Sequence, residues 1–439
     1  MDRVVVKFGG SSVADAGQFR KVHDIVKADP RRSVVVVSAP GKRRADEAKL
    51  TDLLYLCADM AATGTRFDAP FALIHDRFVE IASELGLSPE ISKDIHEFGA
   101  QLKVGVSRDF VASRGEYFSA KLMAQYLDAE FIDPAECVTI LGNGNVCPSS
   151  YAALGARLQD ASKRYVIAGF YGKDQRGEVK TFSRGGSDIS GAIAARAAGA
   201  VLYENWTDTS GMLMADPRIV TNPKPIEEIS FREVREMSYM GASVFHDEAI
   251  LPVREAGIPI CIKNTNRPQD PGTRSVPTLS QKALASTEIA GVAGKKAFTM
   301  ICLEKTLMNK TVGFTHQLLG ILAHFGICIE HCPSSIDSLN VIIEDAQLNG
   351  RDEELLAEIR KQLEPDSLTI EKDLALVALV GEGMVRAVGI SATVFAALRD
   401  AKINVRVINQ GASEINLIVG ISSNDYEKAL QVIYSAFVR

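Results

Sequence analysis

The chain has 439 residues, so it is longer than one ordinary hydrophobic core and favours about three domains. With 46% hydrophobic and 24% charged residues, its composition is that of a globular protein and excludes a disordered or fibrous one. The formal net charge of -6 argues against a nucleic-acid partner, and no apolar run approaches the roughly 20 residues of a membrane span.

The first half of the chain alternates short apolar runs with amphipathic segments. Strands are predicted at residues 4–8, 34–37, 165–170 and 201–204, and helices at residues 19–26, 50–60, 120–126 and 189–198. The strands are continuously apolar, which is typical of a sheet that is covered on both faces. We therefore predict an α/β sandwich, with ligands bound where the strands end.

A polar stretch at residues 264–277 interrupts this alternation and contains Pro268, Pro271 and Pro277. Prolines cluster in turns and linkers, so we interpret this stretch as a domain boundary.

The sequence after this stretch is duplicated. Residues from Phe298 onward align with those from Leu374 onward at an offset of 76 positions (374 minus 298). Both copies predict strand, glycine-led helix, strand, strand and helix, which is the order of a ferredoxin-like module. Chance matching of apolar strands is the alternative, and the matches of other residue types argue against it: Met308 with Met384, Gly313 with Gly389, and Asn340 with Asn416.

Two glycine loops each lie directly before a predicted helix. The first follows a strand and reads Lys7-Phe8-Gly9-Gly10-Ser11, and the second is the segment SRGGSD at residues 183–188. Glycines let the backbone approach a phosphate closely, and a helix N-terminus presents free N–H donors to it. A lysine at the strand end places an ammonium beside a transferring phosphoryl group. The alternatives are a tight turn with a surface lysine, and Asp188 as a simple helix cap.

A polar loop after the fourth strand contains WTDTSG at residues 206–211 and ADPR at residues 215–218. It suits a nucleotide, although an ordinary surface turn is the alternative, and Glu116 alone would be a solvated carboxylate. The seven histidines show no metal-ligand spacing, so we predict no protein metal site and only Mg²⁺ brought by a nucleotide. Seven scattered cysteines without a CxxC pair predict reduced thiols and a cytoplasmic location.

In combination, KFGGSSV, SRGGSD, WTD followed by ADPR, and the duplicated C-terminal module resemble the aspartate kinase family essentially end to end. The resemblance implies a three-layer amino-acid kinase sandwich at residues 1–290, followed by ACT domains at residues 297–373 and 374–439. It also implies that ATP phosphorylates the side-chain carboxylate of L-aspartate to 4-phospho-L-aspartate, the first step toward lysine, threonine and methionine. A carboxylate nucleophile is already ionised at pH 7, which agrees with a site that lacks a general base.

The same resemblance assigns roles to individual residues. Catalysis is implied for Lys7, Gly10 and Asp188. Aspartate binding is implied for Ser38, Thr51, Glu116, Arg184 and Ser187. ATP binding is implied for Lys7, Phe8, Gly9, Gly10, Ser11, Thr207, Asp208, Leu213, Arg218 and Ser243, although Leu213 replaces a common tyrosine and Ser243 lies where many members carry a lysine.

For regulation, the resemblance implies feedback inhibition by an amino acid bound between ACT domains, with lysine as the preferred effector. The effector residues that it implies are Met308, Thr311, Gly313, Phe314, Glu330 and Ser335. A homodimer or dimer of dimers through the ACT domains is implied as well. Two other hypotheses stay open, namely another carboxylate kinase of the same fold and an amino-acid sensor without kinase activity.

Overall fold

A computed structural model describes residues 2–183, 185–242, 249, 251–286, 288–385 and 387–438. The chain forms two compact units, each of which is discontinuous in sequence. The first unit comprises Met1–Met212, Pro225–Val234 and Val244–Leu279, and the second comprises Leu213–Lys224, Arg235–Ser243 and Ser280–Arg439. Within the described residues, no helix has the length and apolar character needed to cross a membrane.

A mostly parallel sheet forms the centre of the first unit. The strands of this unit are β1 (Val4–Phe8), β2 (Arg32–Val37), β3 (Glu130–Ile132), β4 (Tyr165–Ala168), β5 (Tyr171–Lys173), β6 (Val179–Thr181), β7 (Leu202–Thr207), β8 (Glu228–Ser230), β9 (Ile260–Asn264) and β10 (Thr273–Val276). The order in the main sheet is β3-β4-β2-β1-β7-β9-β10-β8, and β5 pairs with β6 in a separate hairpin. Neighbouring strands of the main sheet run parallel except β9 and β10.

Helices cover both faces of this sheet, as the continuously apolar strands predict. They are α1 (Ala16–Ala28), α2 (Leu50–Ala62), α3 (Asp68–Glu84), α4 (Glu90–Val104), α5 (Arg108–Leu127), α6 (Ser149–Arg157), α7 (Gly186–Ala197), α8 (Phe231–Tyr239), which ends in the second unit, and α9 (Leu251–Glu255). Val4, Val6 and Phe8 of β1 share a core with residues of α1 and α5, whereas the opposite face of β1 meets α7. The α/β sandwich is therefore confirmed.

The second unit contains a five-stranded antiparallel sheet. Its elements are the strands β11 (Gly291–Glu304), β12 (Ser338–Glu344), β13 (Ser367–Val380), β14 (Val407–Asn409) and β15 (Asn416–Ser422), and the helices α10 (Gln281–Ser286), α11 (Phe314–His324), α12 (Asp345–Leu348), α13 (Asp352–Leu363), α14 (Ile390–Asp400) and α15 (Tyr426–Phe437). The strand order is β12-β11-β13-β15-β14. Both α11 and α14 begin after a glycine with positive φ, Gly313 at 82° and Gly389 at 97°, so the helices of the two copies start in the same way. The second copy has the predicted order of strand, helix, strand, strand and helix. In the first copy the predicted middle strand is wrong, since it is reduced to isolated bridges of His331 with Ile342 and of Ser334 with Leu339.

The proline-containing stretch at residues 264–277 does not separate the two units. Thr273–Val276 instead forms β10, which pairs with both β9 and β8 inside the sheet of the first unit. Pro268 and Pro271 lie in the turn between β9 and β10, and prolines mark such turns as readily as they mark linkers. The interpretation of this stretch as a domain boundary is therefore wrong.

Candidate active site

Lys7 is a charged residue in a strand that is otherwise apolar, and it is only 7% exposed. Its ammonium donates to the carboxylate of Asp188 and lies 3.3 Å from Oδ1 of Asn205. Asn205 in turn donates through Nδ2 to Oδ1 of Asp188 at 3.1 Å. Pairing of this kind is what a buried charge requires. Residues from β1, β7 and the first turn of α7 thus form one polar cluster in the interior.

The sequence gives no motif that singles out Asn205, although it completes this cluster. The available signal is the polar pair Glu204–Asn205 inside a strand whose central residues are all buried. Glu204 has a separate role, since it accepts two hydrogen bonds from Arg32 and one from the indole of Trp206. Asn205 lies directly beside Lys7 in the parallel register of β1 and β7, and this register brings the two side chains together.

The first glycine loop is held between two neighbouring strand ends. The N–H of Gly9 donates to the carbonyl of Trp206 at 3.0 Å, and a Cβ at Gly9 would lie 3.6 Å from the Lys7 ammonium. Gly10 accepts a hydrogen bond of 2.8 Å from the N–H of Gly41, and a Cβ at Gly41 would lie 2.7 Å from the carbonyl carbon of Gly10. We call this contact between Gly10 and Gly41 the loop junction. Phe8 is fully buried and stacks on Trp206, so its side chain belongs to the core.

The second glycine loop begins α7. Gly185 is the residue before the helix and has a φ of 59°, a left-handed conformation that favours glycine. A Cβ at Gly186 would lie 2.6 Å from the ring of Phe170, so only glycine fits against that residue. Phe170 itself has a φ of 78°, which is unusual for an aromatic residue and marks local strain beside the loop. No sequence motif singles out Phe170. Arg184, the predicted aspartate-binding residue of this loop, lies outside the described residues.

Two of the predicted aspartate-binding residues lie close together. The N–H of Ser38 donates to the carbonyl of Phe8 at 3.1 Å, and the next residue, Ala39, donates its N–H to Glu116. Glu116 is completely buried on α5, and its Oε2 has no hydrogen-bond partner among the residues that the structure describes. Burial raises the pKa of Glu116 from 4.5 to about 8, while the Ala39 N–H lowers it. Such a carboxylate is well suited to accept a cationic ligand group.

Thr51 and Ser187 occupy the first turns of α2 and α7. Ser187 packs against Gly169, since a Cβ there would lie 2.6 Å from the Ser187 hydroxyl oxygen. Helix α2 packs against α5 beside Gly115, which places Thr51 on a helix next to the one that carries Glu116.

The predicted nucleotide-binding residues are divided between the two units. Thr207 and Asp208 follow β7 in the first unit, where the amide of Asn264 donates to the carbonyl of Asp208 at 3.1 Å. Leu213 and Arg218 belong to the second unit, and Ser243 lies outside the described residues. Arg218 is exposed and forms a two-point ion pair with Asp216, with contacts of 2.6 and 3.1 Å.

The segment Leu213–Lys224 is anchored on the C-terminal part of the chain. The carbonyl of Met214 accepts from the N–H of Val292 at 2.7 Å. At its other end, the N–H of Lys224 donates to the hydroxyl of Tyr434 at 2.9 Å, and Gln431 donates to the carbonyl of Ile219 at 2.8 Å. Both Gln431 and Tyr434 lie on α15, so the segment that carries Arg218 depends on the last helix of the second module.

Comparison with known proteins decides the family. The pattern of the amino acid kinase family matches residues 2–264, and the pattern of the ACT domain matches residues 377–437. The chain is 40% identical to aspartokinase 3 of Bacillus subtilis over 450 aligned positions, which cover 99% of this chain and 98% of that protein. It belongs to the aspartate kinases. As such it is an enzyme that uses a nucleotide, and the end-to-end resemblance of the motifs is confirmed.

Solved aspartate kinases share the whole fold. The structure of the Clostridium acetobutylicum aspartate kinase, described as an allosteric enzyme, superposes with a TM-score of 0.91 at 47% identity and full coverage of both chains. Aspartokinase III of Escherichia coli was solved with aspartate and ADP as an R-state and with lysine and aspartate as a T-state. These two superpose with TM-scores of 0.77 and 0.76 at 27% and 28% identity, again with full coverage of both chains.

In this aspartate kinase four of the six predicted effector residues, Met308, Thr311, Gly313 and Phe314, lie at the start of α11 or in the turn before it. Met308 and Phe314 are buried, whereas Thr311 and Ser335 are exposed. The N–H of Glu330 donates to the carbonyl of Ile342, which fixes the backbone of Glu330 beside β12.

The carboxylate of Glu330 is already engaged by a residue of α8. It accepts a hydrogen bond from the hydroxyl of Tyr239, and the Lys295 ammonium lies 5.1 Å from the centre of the Tyr239 ring. Among the described residues, no group of three or more His, Cys, Asp and Glu side chains could hold a metal ion.

Proposed function

We propose that Lys7 and Asp188, with the two glycine loops, form the phosphoryl-transfer centre of this aspartate kinase. A side-chain carboxylate oxygen of L-aspartate attacks the γ-phosphorus of ATP, the bond from that phosphorus to ADP breaks, and 4-phospho-L-aspartate is formed. The observation that carries the proposal is the buried Lys7–Asp188–Asn205 cluster beside Gly9. Lys7 neutralises charge on the transferring group, and the N–H groups of Gly10 and Ser11 face its oxygens.

We also propose that a Mg²⁺ ion accompanies the nucleotide. The residues present fit such an ion, because within the described residues the contacts of Lys7 and Asn205 go to Oδ1 of Asp188 and not to Oδ2. Magnesium prefers oxygen ligands and keeps several waters, so one carboxylate and the phosphates suffice. When bound, it would reduce the repulsion between the two anionic substrates.

For aspartate, we propose that Glu116 binds the α-ammonium group and that Arg184 binds a carboxylate, with Ser38, Thr51 and Ser187 lining the site. This assignment is supported by the contact of Glu116 with Ala39, next to Ser38, and by its Oε2, which has no hydrogen-bond partner within the described residues. For ATP, Phe8, Gly9, Gly10 and Ser11 contribute backbone contacts to the phosphates. The other nucleotide contacts in this proposal come from Thr207, Asp208, Leu213, Arg218 and Ser243.

Inhibition by lysine is the regulatory part of the proposal. The effector carboxylate binds at the start of α11, near Met308, Thr311, Gly313 and Phe314, and its ammonium pairs with Glu330 near Ser335. Support comes from the Escherichia coli structure with lysine and from the presence of Glu330 in this region. The reaction is then the first step of lysine, threonine and methionine synthesis.

Association through the ACT modules completes the proposal. Val312 and Val388 occupy equivalent positions of the two modules and are 97% and 102% exposed in the single chain. Large exposed apolar side chains at the start of both helices favour a second copy as the partner, giving a homodimer or a dimer of dimers. A cytoplasmic location remains a prediction from the sequence.

One assay tests the reaction and its regulation together. The purified protein is incubated with Mg-ATP and hydroxylamine, and acyl hydroxamate is measured with L-aspartate, glutamate and N-acetylglutamate, each with and without lysine. We expect product from aspartate alone and its suppression by lysine. Product from another acid would contradict the assignment of aspartate as the substrate. Aspartyl hydroxamate formation that persists at saturating lysine would contradict only the assignment of lysine as the inhibitor.

A further inference from the structure

Arg77 lies on α3, outside both glycine loops, and is only 7% exposed despite its charge. Its Nη1 donates to the carbonyl of Gly41 at 3.1 Å and to the carbonyl of Ala14 at 3.3 Å, and its Nη2 pairs with Glu47. Gly41 forms the loop junction with Gly10, and Ala14 directly follows the short 3₁₀ turn Gly10–Val13. One guanidinium group therefore binds both loops at the place where they meet.

Ion pairs and a hydrogen bond hold the loop that carries Gly41 in place. Glu47 accepts from the backbone N–H of Arg43 at 2.8 Å and pairs with the Arg43 side chain at 2.7 Å. Arg43 also pairs with Glu80 of α3 at 2.7 Å. The arginines Arg43 and Arg77 lower the pKa of Glu47 to about 2, so this carboxylate stays ionised over any pH range in which the enzyme works.

The two loops hold different partners in the proposed reaction. Gly9 and Gly10 face the transferring phosphoryl group, and Ser38, at the start of the loop that contains Gly41, binds aspartate. The nucleophile and the phosphorus must be held at a fixed distance, and a misplacement of about 1 Å can lower the rate about 100-fold. The contact that fixes one loop against the other is therefore expected to control the rate, although it touches neither substrate.

We propose that Arg77 is a positioning residue for phosphoryl transfer, which it serves by fixing the aspartate loop against the phosphate loop through Gly41 and Ala14. This inference rests on the proposed function of those loops. A planar guanidinium can donate to two carbonyls and to a carboxylate at once, whereas a lysine ammonium is a compact point charge on a flexible stem. A lysine at this position would keep a positive charge opposite Glu47, but it would lose the simultaneous hydrogen bonds to the carbonyls of Gly41 and Ala14.

The test compares Arg77→Lys with Arg43→Gln, in the full-length protein and the hydroxamate assay. Arg43→Gln is the matched control, because it removes the other arginine from Glu47 and leaves both carbonyl contacts of Arg77. We expect Arg77→Lys to lower kcat at least tenfold and to raise the KM for aspartate, with the KM for ATP unchanged. Arg43→Gln should stay within twofold of the unmodified enzyme in all three quantities.

Thermal unfolding and ADP binding keep a structural defect apart from a positioning defect. A variant that binds ADP with unchanged stoichiometry is folded at its nucleotide site. A fall in its kcat then reports poorer alignment of the aspartate carboxylate with the γ-phosphorus of ATP. A folded Arg77→Lys protein with kcat and KM within twofold of normal would overturn the inference. If Arg77→Lys does not fold, Arg77→Gln takes its place, because its shorter side chain also loses the contacts with the carbonyls of Gly41 and Ala14, and an unchanged kcat for that variant overturns the inference.

Failure of the inference and failure of the proposed function give different results. If the unmodified protein makes no hydroxamate from aspartate, the proposed function is wrong. If the unmodified protein is active and Lys7→Ala is inactive, while Arg77→Lys is normal, only the role of Arg77 is wrong.

Discussion

At the scale of single residues, Lys7 could be selected from the sequence, but its surroundings could not. Its burial and its contacts with Asp188 and Asn205 could not be derived from the letters KFGG, because they depend on the parallel register of β1 with β7 and on the start of α7. A tight turn with a surface lysine was the alternative interpretation of those letters, and the burial of Lys7 excludes it.

Replacing Lys7 by alanine should lower kcat by about 1,000-fold or more, because the transferring group would lose its main cation in a site of low dielectric. The protein should stay folded, since Asp188 keeps Asn205 as a partner. Initial rates of hydroxamate formation, with circular dichroism as the check on folding, measure both effects. Lys27→Ala, an exposed lysine on α1, serves as the control and should behave like the unmodified enzyme. A Lys7→Ala enzyme with a near-normal rate would remove Lys7 from the proposed centre.

Glu116 should make aspartate binding depend on pH. Its pKa of about 8 in the free enzyme means that it is mostly protonated at pH 7, and an ammonium group beside it lowers that pKa. Binding should therefore release close to one proton per site at pH 7 and should strengthen as the pH rises toward about 8. Titration calorimetry in two buffers of different ionisation enthalpy measures the number of protons that are released on aspartate binding. In Glu116→Gln the proton release should vanish, and its persistence there would assign it to another group.

The same carboxyl group should affect stability. Its folded-state pKa lies above the unfolded value of 4.5, so the folded protein binds more protons between pH 4.5 and about 8 and loses stability as the pH rises through that window. Glu116→Gln has no proton to lose, so its melting temperature relative to the unmodified protein should increase from pH 5 to pH 8. A difference that stays constant with pH would contradict this expectation.

Tyr239 should compete with the effector for Glu330. The hydroxyl of Tyr239 donates to Oε2 of Glu330, so an effector ammonium that binds this oxygen must displace the hydroxyl. Tyr239→Phe keeps the ring that faces Lys295 and removes only the hydroxyl, and we expect it to bind lysine several-fold more tightly. Calorimetric titration with lysine measures the change, and an equal or weaker affinity would show that the hydroxyl does not compete.

At the scale of elements, the loop junction is a close contact between two backbone segments of the candidate site. A Cβ at Gly41 would meet the carbonyl carbon and oxygen of Gly10 at 2.7 and 2.8 Å, and these backbone atoms cannot turn aside as a side chain could. Gly41→Ala should therefore shift the phosphate loop and lower kcat at least tenfold. Gly142→Ala is the matched control, because nothing lies within 4 Å of its added Cβ. Equal rates for the two variants would mean that the junction does not affect catalysis.

Most elements could be predicted from the sequence because they depend on local patterns. Apolar runs in the first half form buried strands, and the two glycines spaced by the repeat, Gly313 and Gly389, begin equivalent helices. The stretch at residues 264–277 was misassigned because a turn between antiparallel strands contains the same residues as a linker. Phe170 and Arg77 could not be selected from the sequence. Phe170 is unusual in its backbone angle, and Arg77 is notable for its hydrogen bonds to carbonyls that are distant in sequence.

At the scale of the whole molecule, the decisive feature is that neither unit is a continuous piece of chain. The segment Leu213–Lys224 lies between residues of the first unit in sequence, and its hydrogen-bond partners include Val292, Gln431 and Tyr434. No periodicity or motif in the sequence indicates this arrangement, because it depends on contacts between residues more than 200 positions apart.

This arrangement predicts that α15 supports nucleotide binding. Tyr434→Phe removes the acceptor of the Lys224 N–H, which should loosen the segment that carries Arg218 and raise the KM for ATP several-fold, with the KM for aspartate unchanged. Lys428→Ala is the control on the same helix, since its ammonium donates instead to the carbonyl of Ala401. An unchanged KM for ATP in Tyr434→Phe would contradict the prediction that α15 supports nucleotide binding through the segment that carries Arg218.

The order in which the ribosome makes these residues then becomes important. A chain is synthesised at about 5–20 residues per second, and N-terminal domains generally fold first. Here the segment that carries Arg218 leaves the ribosome long before Gln431 and Tyr434 exist to hold it. The sheet that carries Lys7 can form early, but the segment Leu213–Lys224 cannot be held in its folded position until α15 has been translated.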